Sequence, residues 1–283
     1  MASLGRLRAS LDLVRPGNAA MAAAAGATGF VLAGGVVSPA LVVAATLPPF
    51  LVAAFGNAIN DLSDAELDRS AHPNRPLPSG RLGRRAAWVL ASLALAAALA
   101  TALPGGWPAV AFAGANALLL VAYEARLKAT GLPGNILVAV LVGSTFLYGG
   151  IVATGQAPAA PMLLLLAAMA SLTNLARELL KDVEDVDADR GHRDTLPLRV
   201  GQGQTRLLAF ALVNLALVTS VVAFVRTPAG WWTPWLILLA AADAVFLLGA
   251  CLAWVNVGLA QRLLKLAMMV ALLAFLSGAS AGP

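Results

Sequence analysis

Six aspartates in two equally spaced sets are the residues of this chain best suited to chemistry. The first set is Asp61, Asp64 and Asp68, preceded by Asn60; the second is Asp182, Asp185 and Asp189. Each reads D-x2-D-x3-D, and the second repeats the first at an offset of 121 residues. On a helix turning about 100° per residue, positions i, i+3 and i+7 share one narrow sector. Three like charges on one face repel each other unless something cationic sits among them. Magnesium is a hard cation that takes oxygen ligands and bridges one or two carboxylates to substrate phosphates. Two such faces meeting would hold a diphosphate through divalent metal. The plain alternative is a solvated acidic face, and the return of the spacing at the end of a second apolar run argues against it.

A departing diphosphate needs positive charge beyond metal. Arg75, Lys128, Lys181 and Arg193 lie in or beside the same segments. Arginine suits bidentate contacts to oxygen, and lysine serves as a point charge. Arg81, Arg84 and Arg85 read instead as ordinary membrane-edge anchors. His72 and His192 stand alone on loops, with no Cys or His partner at metal spacing. No P-loop, G-x-S-x-G or dinucleotide fingerprint is present. Phe112, Tyr123, Phe146 and Tyr148 would line a pocket for an apolar tail or face a developing allylic cation. Plain packing is the alternative for each.

The elements that must position these side chains are membrane helices. The chain has 283 residues, of which 60% are apolar and 12% charged, with a mean hydropathy of +0.82. A soluble domain carries about 25% charged residues. Apolar runs of ~20 residues recur, enough to cross the hydrocarbon core, and in lipid they must be helical. The expected fold is all-α, a polytopic membrane protein of one domain over 1–283. It has nine transmembrane helices around a central cavity, at 17–34, 39–60, 84–104, 107–124, 132–153, 161–181, 205–225, 231–254 and 262–280. Pro104-Gly-Gly, Gly131-Leu-Pro-Gly134 and Thr227-Pro-Ala-Gly230 punctuate the joints. Met1 to Pro16 is basic and amphipathic and does not read as a cleaved signal. Small residues crowd the spans, as at Ala20–Gly26, Ala94–Ala98 and Ala167–Ala170, which permits close helix packing.

Charge fixes the expected orientation. With nine spans, 18 of the 19 lysines and arginines fall on one side, and Arg226 alone on the other. The positive-inside rule places the N-terminus and both aspartate sets at the cytoplasmic face of the cell membrane. Topology therefore explains the sequence pI of about 10.1, and no nucleic-acid partner is expected. Asp243 lies midway along the eighth span, where a carboxylate is a functional candidate by default or a protonated, hydrogen-bonded packing residue. The single cysteine, Cys251, excludes a disulfide framework and is expected to pack as a small apolar residue.

These residues resemble the UbiA family of intramembrane prenyltransferases. The likeness rests on Asn60-Asp61-x-x-Asp64-x-x-x-Asp68, the following Asn74-Arg-Pro-Leu-Pro-Ser-Gly80, and Asp182-x-x-Asp185-x-x-x-Asp189 followed by Thr195-Leu-Pro197. Tyr123 to Asn135, with Lys128 and Gly131-Leu-Pro-Gly-Asn135, resembles the connection between the family's fourth and fifth spans. Arg15-Pro-Gly-Asn18 looks like its N-terminal R-P-x-N element, which would turn Asn18 to the cavity. The resemblance implies transfer of a polyprenyl group from its diphosphate to an acceptor with Mg2+. It implies that Asn60, Asp64, Asp68, Asp182, Asp185 and Asp189 bind the metal diphosphate. Asp64, Asp68, Asp182, Asp185 and Lys128 would form the catalytic set. Asn18, Asn60, Asp61, Arg75, Tyr123, Lys128 and Lys181 would contact diphosphate or acceptor.

The run Arg177 to Asp189, and Gly143-Ser-Thr-Phe-Leu-Tyr-Gly-Gly150, look most like the branch that makes archaeal ether lipids. That branch alkylates the free hydroxyl of geranylgeranylglyceryl phosphate. The expected partners are a prenyl diphosphate, a lipid or aromatic acceptor and membrane lipid, with a monomer as the simplest state. Two other readings stay open. One is an aromatic acceptor such as 4-hydroxybenzoate or another quinone or haem precursor. The other is a cation-coupled transporter, although transporters place their sites near the midplane rather than at one membrane edge.

Overall fold

The computed structural model describes residues 2–157, 160–191, 193–225 and 234–280. His192, Arg226 and the Thr227–Gly230 joint lie outside the described residues. Each expected span becomes a helix. The main elements are α1 (Ala2–Val14), α2 (Pro16–Leu32), α3 (Pro39–Asp64), α4 (Arg84–Ala102) and α5 (Gly106–Ala122). They continue as α6 (Leu132–Thr154), α7 (Pro161–Glu184), α8 (Gln202–Val225), α9 (Pro234–Leu252) and α10 (Val257–Ser280). No strand occurs among the described residues.

Local sequence sets the ends. Ser38 caps α3 by accepting the Leu41 amide at 3.3 Å, with Pro39 at the first position. The first turns of α2, α6 and α7 likewise hold Pro16, Pro133 and Pro161. Gly155 closes α6 in the left-handed conformation, φ 72°.

Among the described residues, seven stretches are long and apolar enough to cross a membrane, where nine crossings were expected. The difference has two physical sources. Helix α2 has 17 residues and falls just short in length. The stretch Arg84–Thr130 contains both α4 and α5, broken by the 3-10 turn Leu103–Gly105 and by Gly106 at φ 82°. Both helices pack on α3 and on each other.

The helices meet as their sequences anticipate. Neighbours pack in the order α2, α3, α5, α6, α7, α8, α9, α10 and back to α2, with α2 also against α6. The closest approaches run through small residues. A Cβ on Gly149 would stand 2.0 Å from the Gly26 carbonyl oxygen, and one on Gly29 would stand 2.0 Å from that of Phe146. Large apolar side chains point outward instead, as with Trp107 at 77%, Ile237 at 68% and Leu93 at 61% exposure. That inversion suits a chain whose solvent is lipid. Cys251 also lies on this outer surface, exposed, and not packed inside as expected.

Inside the ring lies a cavity of about 440 Å³. Apolar residues such as Val52, Phe112, Leu141, Phe146, Met169 and Phe275 form most of its wall. At the other extreme of the wall are Asn60, Tyr123, Glu124, Arg177 and Lys181.

Candidate active site

Both aspartate sets sit where a long helix stops. Helix α3 ends at Asp64, a turn follows, and Asp68 opens the short helix Asp68–Ala71. Helix α7 ends at Glu184, Asp185 stands at the break, and Asp189 closes the short helix Val186–Asp189. The expectation of three carboxylates on one continuous helix face is therefore corrected for both sets. In each, the third aspartate lies beyond the long helix, on a short separate one.

The two sets come together through shared cations. Asp64 accepts from Lys128 Nζ at 2.8 Å and from Arg193 Nη2 at 3.1 Å. Arg193 also lies 3.7 Å from Asp189, so one guanidinium spans both sets. Lys128 donates as well to Glu124 at 2.7 Å, and Glu124 accepts from Asn60 Nδ2 at 2.9 Å. Lys128 follows a π-helical turn, Tyr123–Leu127, a local widening often found at functional sites. After it, Gly131 at φ 69° starts α6; a Cβ there would meet the Asp194 carbonyl oxygen at 2.3 Å. Asn135, in the next turn, donates to Asp182 Oδ2 at 2.6 Å.

Asp61 goes elsewhere. It is 1% exposed and pairs with Arg15, with Arg75 3.7 Å away. Arg75 donates to Asp68 at 2.5 Å. Arg15 joins α1 to α2 at φ 49°, the sole non-glycine residue with positive φ among the described residues. Such backbone costs about 1–3 kcal/mol and persists where surrounding structure holds it. Here the Asp61 ion pair and the packing of α1 do so. A second, polar cavity of about 450 Å³ opens beside these residues, lined by Arg15, Asp61, His72, Asn74, Arg75 and Arg81.

Most of the remaining predicted residues line the main cavity. Asn18 accepts from Lys265 at 2.5 Å, while Asn60, Tyr123 and Lys181 lie along the wall. Asp185 ends α7, its amide donating to the Lys181 carbonyl at 2.9 Å. Phe112, Phe146 and Tyr148 border the cavity, and the Tyr148 hydroxyl donates to the Ala44 carbonyl at 2.8 Å. Asp243 also borders it, accepting from Ser220 at 3.0 Å.

No group of three His, Cys, Asp or Glu side chains converges on one point among the described residues. Asp64, Asp68 and Asp189 are instead held by Lys128, Arg75 and Arg193. The donor set nonetheless suits a hard divalent ion. Its atoms are carboxylate and amide oxygens, and Asp189 Oδ2 is buried with no hydrogen-bond partner. Burial pushes the Asp189 carboxyl above its ordinary value against the pull of Arg193. An ion beside that oxygen would satisfy it.

Glu124, Asn135, Asn174 and Arg15 did not stand out as site residues in the sequence. Glu124 had a signal, since it precedes Lys128 by four residues and so shares its helix face. The others carried none outside the resemblance, because their partners are distant in sequence.

The chain is similar to known proteins along nearly its whole length. Digeranylgeranylglyceryl phosphate synthase of Methanopyrus kandleri is 41% identical over 279 residues, covering 96% of this chain and 99% of its own. The same-named protein of Natronomonas pharaonis is 38% identical, covering 96% and 97%. A solved structure of digeranylgeranylglyceryl phosphate synthase superposes with a TM-score of 0.73 at 29% identity, over 97% of this chain and 98% of the other. A UbiA homolog from Archaeoglobus fulgidus bound to GPP and Mg2+ superposes at 0.70 over 96% and 99%. At 18% identity, that likeness speaks for the fold. The UbiA prenyltransferase family signature covers residues 19–273, and the chain belongs to that family.

Proposed function

We propose that this chain transfers a geranylgeranyl group from its diphosphate to the free hydroxyl of geranylgeranylglyceryl phosphate. The observation that carries this is the joining of Asp64 and Asp189 by one guanidinium beside an apolar cavity. The names of the relatives, at about 40% identity over nearly the whole chain, support the choice of acceptor.

Asn60, Asp64, Asp68, Asp182, Asp185 and Asp189 would hold magnesium, which supplies charge neutralisation on the diphosphate when bound. The anion's oxygens would displace carboxylates from Lys128, Arg193 and Arg75, leaving those cations to face the leaving group. Glu124 and Asn135 keep Lys128 and Asp182 in place. The carbon–oxygen bond to the diphosphate breaks with its electron pair leaving on the diphosphate. The acceptor hydroxyl oxygen bonds to the freed allylic carbon, and its proton passes to a diphosphate oxygen. The apolar wall excludes water that would otherwise quench the cation. We further propose nine crossings, with α4 and α5 as separate spans, and the N-terminus and active site facing the cytoplasm. The distribution of lysine and arginine supports that orientation.

The test is product mass after incubating purified protein with magnesium, geranylgeranyl diphosphate and a panel of acceptors. Doubly alkylated glyceryl phosphate is expected. Transfer to 4-hydroxybenzoate alone would replace the lipid reading with an aromatic one. Cation-coupled uptake in proteoliposomes without any transfer would overturn both.

A further inference from the structure

One group of cations along the main cavity takes no part in joining the aspartate sets. Helix α7 presents Asn174, Arg177, Glu178 and Lys181 to the cavity. Their spacing of i, i+3, i+4 and i+7 is that of a single helical face. Asp182, one of the proposed metal-binding carboxylates, lies five residues on from Arg177, about 7.5 Å further along the axis. Lys265 reaches the same region from α10 and donates to Asn18 of α2. Arg15 and Arg177 are close enough for their charges to act on Lys265.

Charge in this group is out of balance. Glu178 is engaged by Arg177, and Arg15 by Asp61. Lys265 forms no ion pair among the described residues, and its partner Asn18 is neutral. A half-buried ammonium facing only an amide lacks the counter-ion that such a group calls for. A second signal lies beside it. Asn174 is 5% exposed, lines the cavity, and its Nδ2 has no hydrogen-bond partner. An ammonium without an ion pair and an unused amide donor thus border one pocket, beside the Arg177 guanidinium that Glu178 engages.

We infer that Arg177, Lys265 and Asn174 bind the phosphomonoester headgroup of the acceptor. The inference rests on the lipid acceptor proposed above and deepens it. The geometry suits the chemistry. In a glyceryl phosphate the reacting hydroxyl lies a few bonds from phosphorus. A headgroup at Arg177 therefore leaves that hydroxyl between itself and the diphosphate at Asp182. An aromatic acceptor without a phosphate would leave these donors unmet, so the group also selects among acceptors.

The experiment compares wild type with Lys265→Met, and with Lys265→Arg as the charge-preserving control. Loss of a hydrogen bond to a charged group costs about 10-fold or more in affinity. KM for geranylgeranylglyceryl phosphate should rise by that factor in Lys265→Met and recover in Lys265→Arg. KM for geranylgeranyl diphosphate should stay close to wild type. A binding measurement in EDTA separates this site from the metal-dependent one. Wild type should bind geranylgeranylglyceryl phosphate more tightly than geranylgeranylglycerol, and Lys265→Met should lose the preference. Inorganic phosphate should compete with the lipid in wild type and not in the variant. If Lys265→Met does not fold, Arg177→Gln carries the same comparisons. An unchanged acceptor KM, or a rise confined to the prenyl diphosphate, overturns the inference while the proposed reaction stands. Wild type that alkylates only aromatic acceptors overturns the reaction and this inference together.

Discussion

Asp64→Asn is the perturbation on which the site geometry makes its sharpest statement. The carboxylate is 9% exposed and accepts from Lys128 at 2.8 Å and Arg193 at 3.1 Å. Removing one partner of a buried ion pair costs about 3–5 kcal/mol when the other charge is stranded. Neither cation would be stranded here. Lys128 keeps Glu124 at 2.7 Å, and Arg193 keeps Asp189 at 3.7 Å. The structural cost should therefore fall nearer the ~1–3 kcal/mol of one lost charged hydrogen bond. At roughly 2–4 °C per kcal/mol for larger domains, the melting midpoint drops by about 10 °C at most. Catalysis should suffer far more, because the variant loses one of the proposed metal ligands. Removal of one preorganised electrostatic group commonly costs ~10²–10³ in turnover. The assay is transfer of radiolabelled geranylgeranyl from its diphosphate, run beside a thermal melt in the same detergent. Turnover within about tenfold of wild type, with the melt intact, would refute the reasoning.

Three other substitutions probe different links of the account. Glu124→Gln weakens the hold on Lys128 and Asn60 without touching substrate, and should lower magnesium affinity or activity by about 10–100-fold; apparent magnesium affinity in the transfer assay checks this. Gly149→Leu forces a side chain into the Gly26 carbonyl oxygen, 2.0 Å from the would-be Cβ, and should abolish folded protein in size-exclusion chromatography. Asp243→Asn keeps the hydrogen bond from Ser220 and should leave transfer close to wild type, as expected of a neutral packing carboxyl; a loss of the size seen for Asp64→Asn would place Asp243 in the chemistry.

Much of this arrangement was legible in the sequence, for reasons that differ by residue. The helices were readable because lipid leaves apolar runs no other way to satisfy their backbone. Gly and Pro marked their ends, as at Gly131 and Pro161. The aspartates were readable because a repeated like-charge spacing has few structural reasons to occur. Their division between long and short helices was not, since nothing between Asp64 and Asp68 is an obvious breaker. The meeting of the sets through Arg193 depends on α3 and the segment after α7 arriving together, a long-range event that spacing does not encode. Asp61 shared the motif with Asp64 yet faces Arg15, because its rotation about α3 turns it toward the α1–α2 joint. Asn174 carried no signal at all, one amide in an apolar helix, until the cavity wall was in view. The count of crossings was blurred where α4 and α5 follow each other with only a short turn between them.

The central claim is that both aspartate sets form a single metal site for a diphosphate. The most direct measurement is anomalous diffraction from crystals grown with Mn2+ and a non-reactive prenyl thiodiphosphate. The account predicts metal density bounded by carboxylates of both sets, Asp64 or Asp68 on one side and Asp182 or Asp189 on the other. Metal density at one set alone, with the diphosphate bound away from the other, would contradict it.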